Sequence, residues 1–358
     1  MKRFTKVLSV MLVVFMFASF LGGCGGSSKS KLVGVAMPTK SLQRWNADGD
    51  NMKKELEAKG YQVELQYAEN DVNTQVSQLE NMITKGCKVL VVAPIDASAL
   101  TDVLKKAADE KIKVIAYDRL ILNTPNVDYY ATFDNEKVGI IQGQYIEKAL
   151  GLKEGKGPYN MEMFAGSPDD NNATFFNKGE MSVLQPYIDS GKLVVKSGQK
   201  DFNKIAIPAW KSETAQARMD NLLTANYADG TKLDVVLSPN DSLAIGIIAA
   251  LKNVGYGSAD KPFPVITGQD CDKPNVVAMI KGEQSMSVFK DTRTLAIKVV
   301  EMVDNIMAGK EAPVNNTETY NNGVKVVPSF LCEPVYADKD NYKKILIDSE
   351  YYKEADLK

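Results

Sequence analysis

A run of strand-forming residues, KVIAYDRLI (113–121), ends on adjacent opposite charges, Asp118 and Arg119. Other apolar runs end in the same kind of chemistry. MPTKSLQRW (37–45) supplies Lys40, Arg44 and Trp45, and SPDDNN (167–172) supplies Asp169, Asp170 and Asn172. SPND (238–241) supplies Asn240, GQDCD (268–272) supplies Asp270 and Asp272, and Lys290 closes the extended stretch SMSVFKD (285–291). Carboxylates accept hydrogen bonds from hydroxyl groups, while Arg, Lys and Asn donate to them, so this mixture suits a polyhydroxylated ligand such as a sugar. Hydrogen bonds to charged groups are the strong kind, about 1.5–3 kcal/mol each. The chain's two tryptophans, Trp45 and Trp210, lie in polar surroundings, where a ring can cover the C–H face of a sugar.

Each of these residues also has a plainer reading. Asp118 and Arg119 would make a loop ion pair, Lys290 a solvated lysine, and the tryptophans a packed domain interface. Asp169, Asn240 and Asp272 would be helix N-caps. Several chemistries are excluded outright. The chain has no histidine, which removes Ser-His-Asp and Cys-His catalysis and His-ligated metal sites. Acid–base chemistry by Asp118, Asp170 and Asp270, as in a glycosidase, is not removed. GYG (255–257) follows a helical pattern rather than a strand, and no Gly-Lys-Ser or Gly-Lys-Thr loop is present. DKDN (338–341) lacks the glycine and final glutamate of a calcium loop. No cofactor or metal is therefore expected. The net charge of −2, without long like-charged runs, points away from nucleic acid.

The elements that must position these groups alternate. Strand patterns at 31–37, 61–68, 88–94 and 113–118 precede helical patterns near 45–59, 72–85 and 97–110, then a short strand at 129–133. After a helix near 136–149 the rhythm restarts, with strands at 159–166, 192–198, 234–239 and 264–270. Helices are expected near 171–186, 213–227, 241–253, 275–281 and 292–308, and a late strand at 324–331. Strands alternating with helices indicate βαβ units and parallel sheets covered on both faces. Ligands of such sheets bind beyond the carboxyl ends of the strands, which is where the polar residues cluster.

The N-terminus is different in kind. MKRFTK is basic, residues 7–23 carry no charge, and LGGC (21–24) leads into GGSSKSK. This describes a secretory signal over residues 1–23, although the apolar run also nears the length of a membrane anchor. Cysteine after Leu-Gly-Gly resembles a bacterial lipobox, which implies lipidation of Cys24 and a tether over 24–31. About 335 residues remain, more than one comfortable core, so two domains are expected. Cys87, Cys271 and Cys332 are odd in number and lack metal-site spacing, so they read as small buried residues.

Several stretches, in order, resemble the bacterial xylose-binding and multiple-sugar-binding proteins, the substrate receptors of ABC importers in the ribose-binding-protein class. They are RW (44–45), SQLENMITKGCKVLVVAP (77–94), KVIAYDRLI, YYATFDNEKVG (129–139), GSPDDNNA (166–173), GQDCD, VFKDTR (288–293) and NNGVKVVPS (321–329). The resemblance implies an α/β fold of two Rossmann-like, doubly wound lobes joined by three hinge crossings, a type I periplasmic binding protein. The first lobe would comprise 32–133 plus 291–320, and the second 134–290 plus 321–358. Carried over by motif, the ligand-binding residues would be Arg44, Trp45, Asp118, Arg119, Asp170, Asn172, Trp210, Asn240, Asp270 and Lys290, with Trp45, Phe175 and Trp210 shaping the cavity. The implied protein is a non-catalytic, lipid-anchored monomer outside the cytoplasmic membrane. Its partners would be an aldopyranose (xylose, glucose, galactose or arabinose) and a permease, or alternatively a membrane sensor.

Overall fold

The computed structural model describes residues 31–357. The signal peptide expected over 1–23 and the lipidation expected at Cys24 fall outside the described residues. The chain begins as a parallel layer: β1 (Leu32–Met37), β2 (Gln62–Tyr67), β3 (Val89–Val92), β4 (Lys113–Tyr117) and β5 (Tyr129–Phe133). They pair in the order β5-β4-β3-β1-β2. Helices α1 (Gln43–Ala58), α2 (Val72–Thr84) and α3 (Thr101–Asp109) connect them. The near-continuous apolar strands follow from burial on both faces. Val33, Val35 and Met37 pack on Met52 and Leu56 of α1, whereas Ala36, Leu90 and Val92 pack on Leu79 and Met82 of α2 and Leu104 of α3.

The second layer contains β6 (Tyr159–Met163), β7 (Leu193–Val195), β8 (Val235–Leu237) and β9 (Val265–Ile266), paired in parallel in the order β7-β6-β8-β9. Its helices are α4 (Asn135–Leu150), α5 (Asn171–Asp189), α6 (Ser212–Asn226), α7 (Asp241–Asn253) and α8 (Lys273–Ile280). Then β10 (Met286–Phe289) leads to α9 (Thr292–Met307), whose Leu295, Val299 and Val303 join the core of the first sheet. The chain returns once more as β11 (Ser329–Cys332) and β12 (Val335–Asp338), the latter antiparallel to β10.

One expected boundary is corrected here. The resemblance places residues 321–332 in the second lobe, but β11 runs parallel to β5, with Ser329 opposite Tyr130 and Cys332 opposite Phe133. The preceding polar NNG is tied into the first lobe as well. Buried Asn322 donates to the carbonyls of Ile121 (3.2 Å) and Thr124 (2.7 Å). A hydrophilic turn thus satisfies buried backbone acceptors instead of marking a crossing; the chain leaves the first sheet after Cys332. The late strand is also shorter than its 324–331 pattern, because Asn321 and Val326 form a local bridge.

Glycines let α4 and α5 cross at backbone contact. A Cβ on Gly139 would lie 2.0 Å from the Phe176 carbonyl oxygen, and one on Gly179 would lie 2.1 Å from that of Glu136. Glu180 is fully buried at this crossing, accepting from Asn177 at 3.4 Å, with Oε1 unpartnered among the described residues. Burial pushes its carboxyl from 4.5 up to about 8.

Two outcomes follow for stability. Gly179→Ala should destabilise by about 1–3 kcal/mol or more, since backbone must move, outweighing the ~1 kcal/mol that alanine gains in a helix; urea unfolding measures it. Folded Glu180 holds a proton that the unfolded chain releases, so its contribution is present below 4.5 and lost as pH rises through about 8. Glu180→Gln should flatten the fall in urea midpoint across that window, and an unchanged pH slope would contradict the assignment.

Candidate functional site

The carboxyl ends of both sheets open on one cavity, and each polar group reaches it by a local device. Asp118 follows β4 in a left-handed conformation (φ 57°), which an aspartate tolerates better than bulkier side chains. The turn is held because Asp118 donates its N–H to Ala131 O at 2.8 Å and its carbonyl accepts from Thr132 Oγ1 (2.9 Å) and Asn172 Nδ2 (2.8 Å). Arg44 and Trp45 come from the first turn of α1. Asp170 is the N-cap of α5, accepting from the Asn172 N–H at 3.0 Å, and Asn240 is the N-cap of α7, accepting from Leu243 at 3.0 Å. Both caps also line the cavity. Their capping and site-lining readings hold together: one oxygen serves the helix and the rest of the side chain faces inward.

Trp210 follows Ala209, both at positive φ (56° and 54°), and its indole lies against Gly166. A Cβ at Gly166 would sit 2.0 Å from the ring. Asp270 (φ 96°) and Cys271 (φ 52°) double the chain back after β9. Such backbone is strained for non-glycine residues and persists only where the surroundings fix it.

Charges pair across the two sheets. Arg44 contacts Asp118 directly, places Nη1 3.2 Å from Asp270 Oδ1, and is fixed from behind by Asp48 at 2.9 Å. Tyr117 in turn donates to Asp48. Lys290 Nζ lies 3.1 Å from Asp270 and 4.0 Å from Asp118. Arg119 Nε lies 2.9 Å from Asp170 Oδ2, to which the Trp210 indole N–H also donates at 3.2 Å. The guanidinium carbons of Arg44 and Arg119 both lie over the Trp45 ring, 5.2 and 5.1 Å from its centroid.

The electrostatics differ among the carboxylates. Burial pushes Asp118 up, but Arg44, Lys290 and Arg119 outweigh it and hold it below its ordinary value. Burial wins at Asp170, which is raised despite Arg119. Asp272 is pushed up to about 7 by burial and by neighbouring Asp270, against Arg44 and Lys290.

All ten residues carried over by motif line this cavity, together with Leu42, Phe176, Ser242, Gln269 and Asp272. Two expectations fail. Phe176, not Phe175, faces the cavity; Phe175 instead packs on Tyr320 with ring centroids 5.0 Å apart. Phe176 stands one helical turn beyond Asn172, a spacing that would have identified it. Lys40 lies over the Tyr67 ring at the outer edge of the first sheet, not at the cavity. Of the two readings of Asp272, the cavity one fits: it stands at the N-cap position of α8, but its side chain makes no cap bond and lines the cavity. The volume left among these side chains is about 30 Å³, near one water's share.

Residues 33–311 match the model of the periplasmic binding protein domain. The chain is 59% identical to the multiple sugar-binding periplasmic receptor ChvE of Rhizobium radiobacter, over 99% of this chain and 98% of that protein. It is 38% identical to the D-xylose-binding periplasmic protein of Escherichia coli K12, over 98% and 100% of the two chains. A solved ABC transporter solute binding protein from Clostridium phytofermentans, with bound β-D-glucose, is 60% identical with a TM-score of 0.88, covering 91% of this chain and all of that one.

Both tryptophans line the cavity, so fluorescence excited selectively in tryptophan reports on it. Gly166→Ala should displace the Trp210 indole, shift the emission and destabilise by about 1–3 kcal/mol. Emission identical to that of the parent would show that the ring is not held against Gly166.

Proposed function

This chain belongs to the periplasmic binding protein domain family, and from that premise we propose that it is the extracytoplasmic receptor of a monosaccharide importer. It binds an aldopyranose between its two lobes and offers the closed form to a membrane permease. The observation that carries this reading is the convergence of Arg44, Asp118 and Arg119 from one sheet with Asp170, Asn240 and Asp270 from the other on a single cavity. Hydroxyls of the sugar accept from the guanidinium, ammonium and amide groups and donate to the carboxylates. Trp45, Phe176 and Trp210 supply apolar surface for its C–H faces.

Ligand contacts from both lobes stabilise the closed form relative to the open one, and that difference is what a permease can recognise. The carboxylates act as hydrogen-bond acceptors rather than as an acid–base pair: the protein is a binding protein, not a hydrolase. Cys24, as a lipidated N-terminus, would keep the receptor at the cell membrane. A membrane sensor could read the same closed form, and neighbouring permease or sensor-kinase genes discriminate the two. Among xylose, glucose, galactose and arabinose, glucose heads the series, because the relative holding it is the one at 60% identity.

The test is thermal unfolding of residues 25–358 against these four sugars, ribose, a disaccharide and an amino acid. A ligand at about 100 times its Kd adds about 2.7 kcal/mol, a readable shift in Tm. One or more aldopyranoses should raise Tm, and Arg119→Ala should weaken that binding by about 1–3 kcal/mol, roughly 5- to 150-fold. A panel in which no sugar moves Tm would sink the proposal.

A further inference from the structure

The loop 268–272 combines a fixed backbone with uncommitted side chains. Its backbone is tied at almost every step. Gln269 O accepts from Asp241 N (3.0 Å), Asp270 N donates to Val288 O (2.8 Å), and Cys271 N donates to Ser287 Oγ (3.0 Å). Cys271 O accepts from Tyr352 OH (2.9 Å), and Asp272 N donates to the buried Asp241 carboxylate (2.9 Å). Gln284 and Ser287 clamp that carboxylate in turn.

The side chains behave differently. Asp118, Asp170 and Asp270 each contact a cation. Gln269 and Asp272 flank Asp270 and line the same cavity, yet neither side chain makes a hydrogen bond or ion pair among the described residues. Gln269 is 3% exposed, and its Oε1 is buried without a partner. Buried polar atoms are paired in the great majority of cases, so an orphan on a rigid loop facing a ligand cavity calls for a partner from the ligand.

We propose that Gln269 and Asp272 are specificity-determining contacts that together accept hydroxyl donors from one edge of the sugar. This rests on the sugar reading above and adds to it. The paired charges already have partners without a ligand, so they discriminate weakly among hydroxyl patterns. A ligand that covers buried Gln269 and partly buried Asp272 without offering them donors is penalised by the cost of their desolvation.

The test takes whichever of D-glucose, D-galactose, D-xylose and L-arabinose binds the wild-type protein most tightly, together with its monodeoxy analogues. Kd is measured by calorimetry for wild type, Gln269→Met and Asp272→Asn, with the Tm of each sugar-free protein. Each variant should keep a near-parental sugar-free Tm and lose about 5- to 150-fold in affinity for the parent sugar. That loss should vanish for one particular deoxy analogue, since the missing hydroxyl and the missing acceptor are one interaction. Unchanged affinity in both variants would overturn the inference. So would an equal loss for every analogue with a lowered sugar-free Tm, which marks a structural role. Wild type binding none of the four sugars would overturn the receptor reading itself, and the inference with it.

Discussion

Buried charge governs this molecule. Arg44, Arg119 and Lys290 are each at most 8% exposed, as are Asp118 and Asp170. Ions in such a place are costly unless paired and hydrogen-bonded. Partial pairing is available within the first lobe, where Arg44 meets Asp48 and Asp118. The remainder comes from across the cleft, Asp270 for Arg44 and Asp170 for Arg119. Neither sheet could carry its half of this network against a dry neighbour alone. The strained backbone at Asp118 and Asp270, the dual-use caps and the close approach of Trp210 to Gly166 all deliver side chains to that network.

The supports behind the cavity follow the same logic. Tyr117 and Asp48 fix Arg44, while Tyr130, Thr132 and Asn172 hold the Asp118 carbonyl. Asp241 anchors the loop of Asp270 through Asp272 N, Gln284 and Ser287. Its three donors favour the ionised carboxylate, while burial and nearby Asp272 raise it well above its ordinary value. Positive-φ backbone is retained because neighbouring bonds over-determine it, not because the residues favour it.

Much of this was legible in the chain because strand ends are legible. Apolar runs stop where the polar site begins, so Asp118, Asn240 and Asp270 could be placed by topology before any coordinate was known. What failed needed three-dimensional information. The resemblance puts a crossing before Asn321, yet Asn322 is buried by bonds to carbonyls some 200 residues earlier. Phe175 and Phe176 are indistinguishable in composition, and only the helical phase from Asn172 to Phe176 separates the cavity from the core. Gln269 and Asp272 adjoin an obvious site residue, but a turn with two consecutive positive φ values has no simple alternation from which to read the facing side chains.

The pairing also limits what a ligand can gain. A hydroxyl that bonds to Asp118 or Asp170 competes with a guanidinium already there, so its net contribution is the difference between two charge-assisted bonds. The cross-lobe pairs favour closure before any ligand arrives, and the ligand's share of closure is smaller than its contact count suggests. Discrimination among ligands must then come chiefly from groups without an internal partner and from apolar surface. On the proposed function, these are Gln269, Asp272 and the rings of Trp45, Phe176 and Trp210. On that same proposal the charged residues set where a polyol sits, and the uncommitted residues decide which polyol stays.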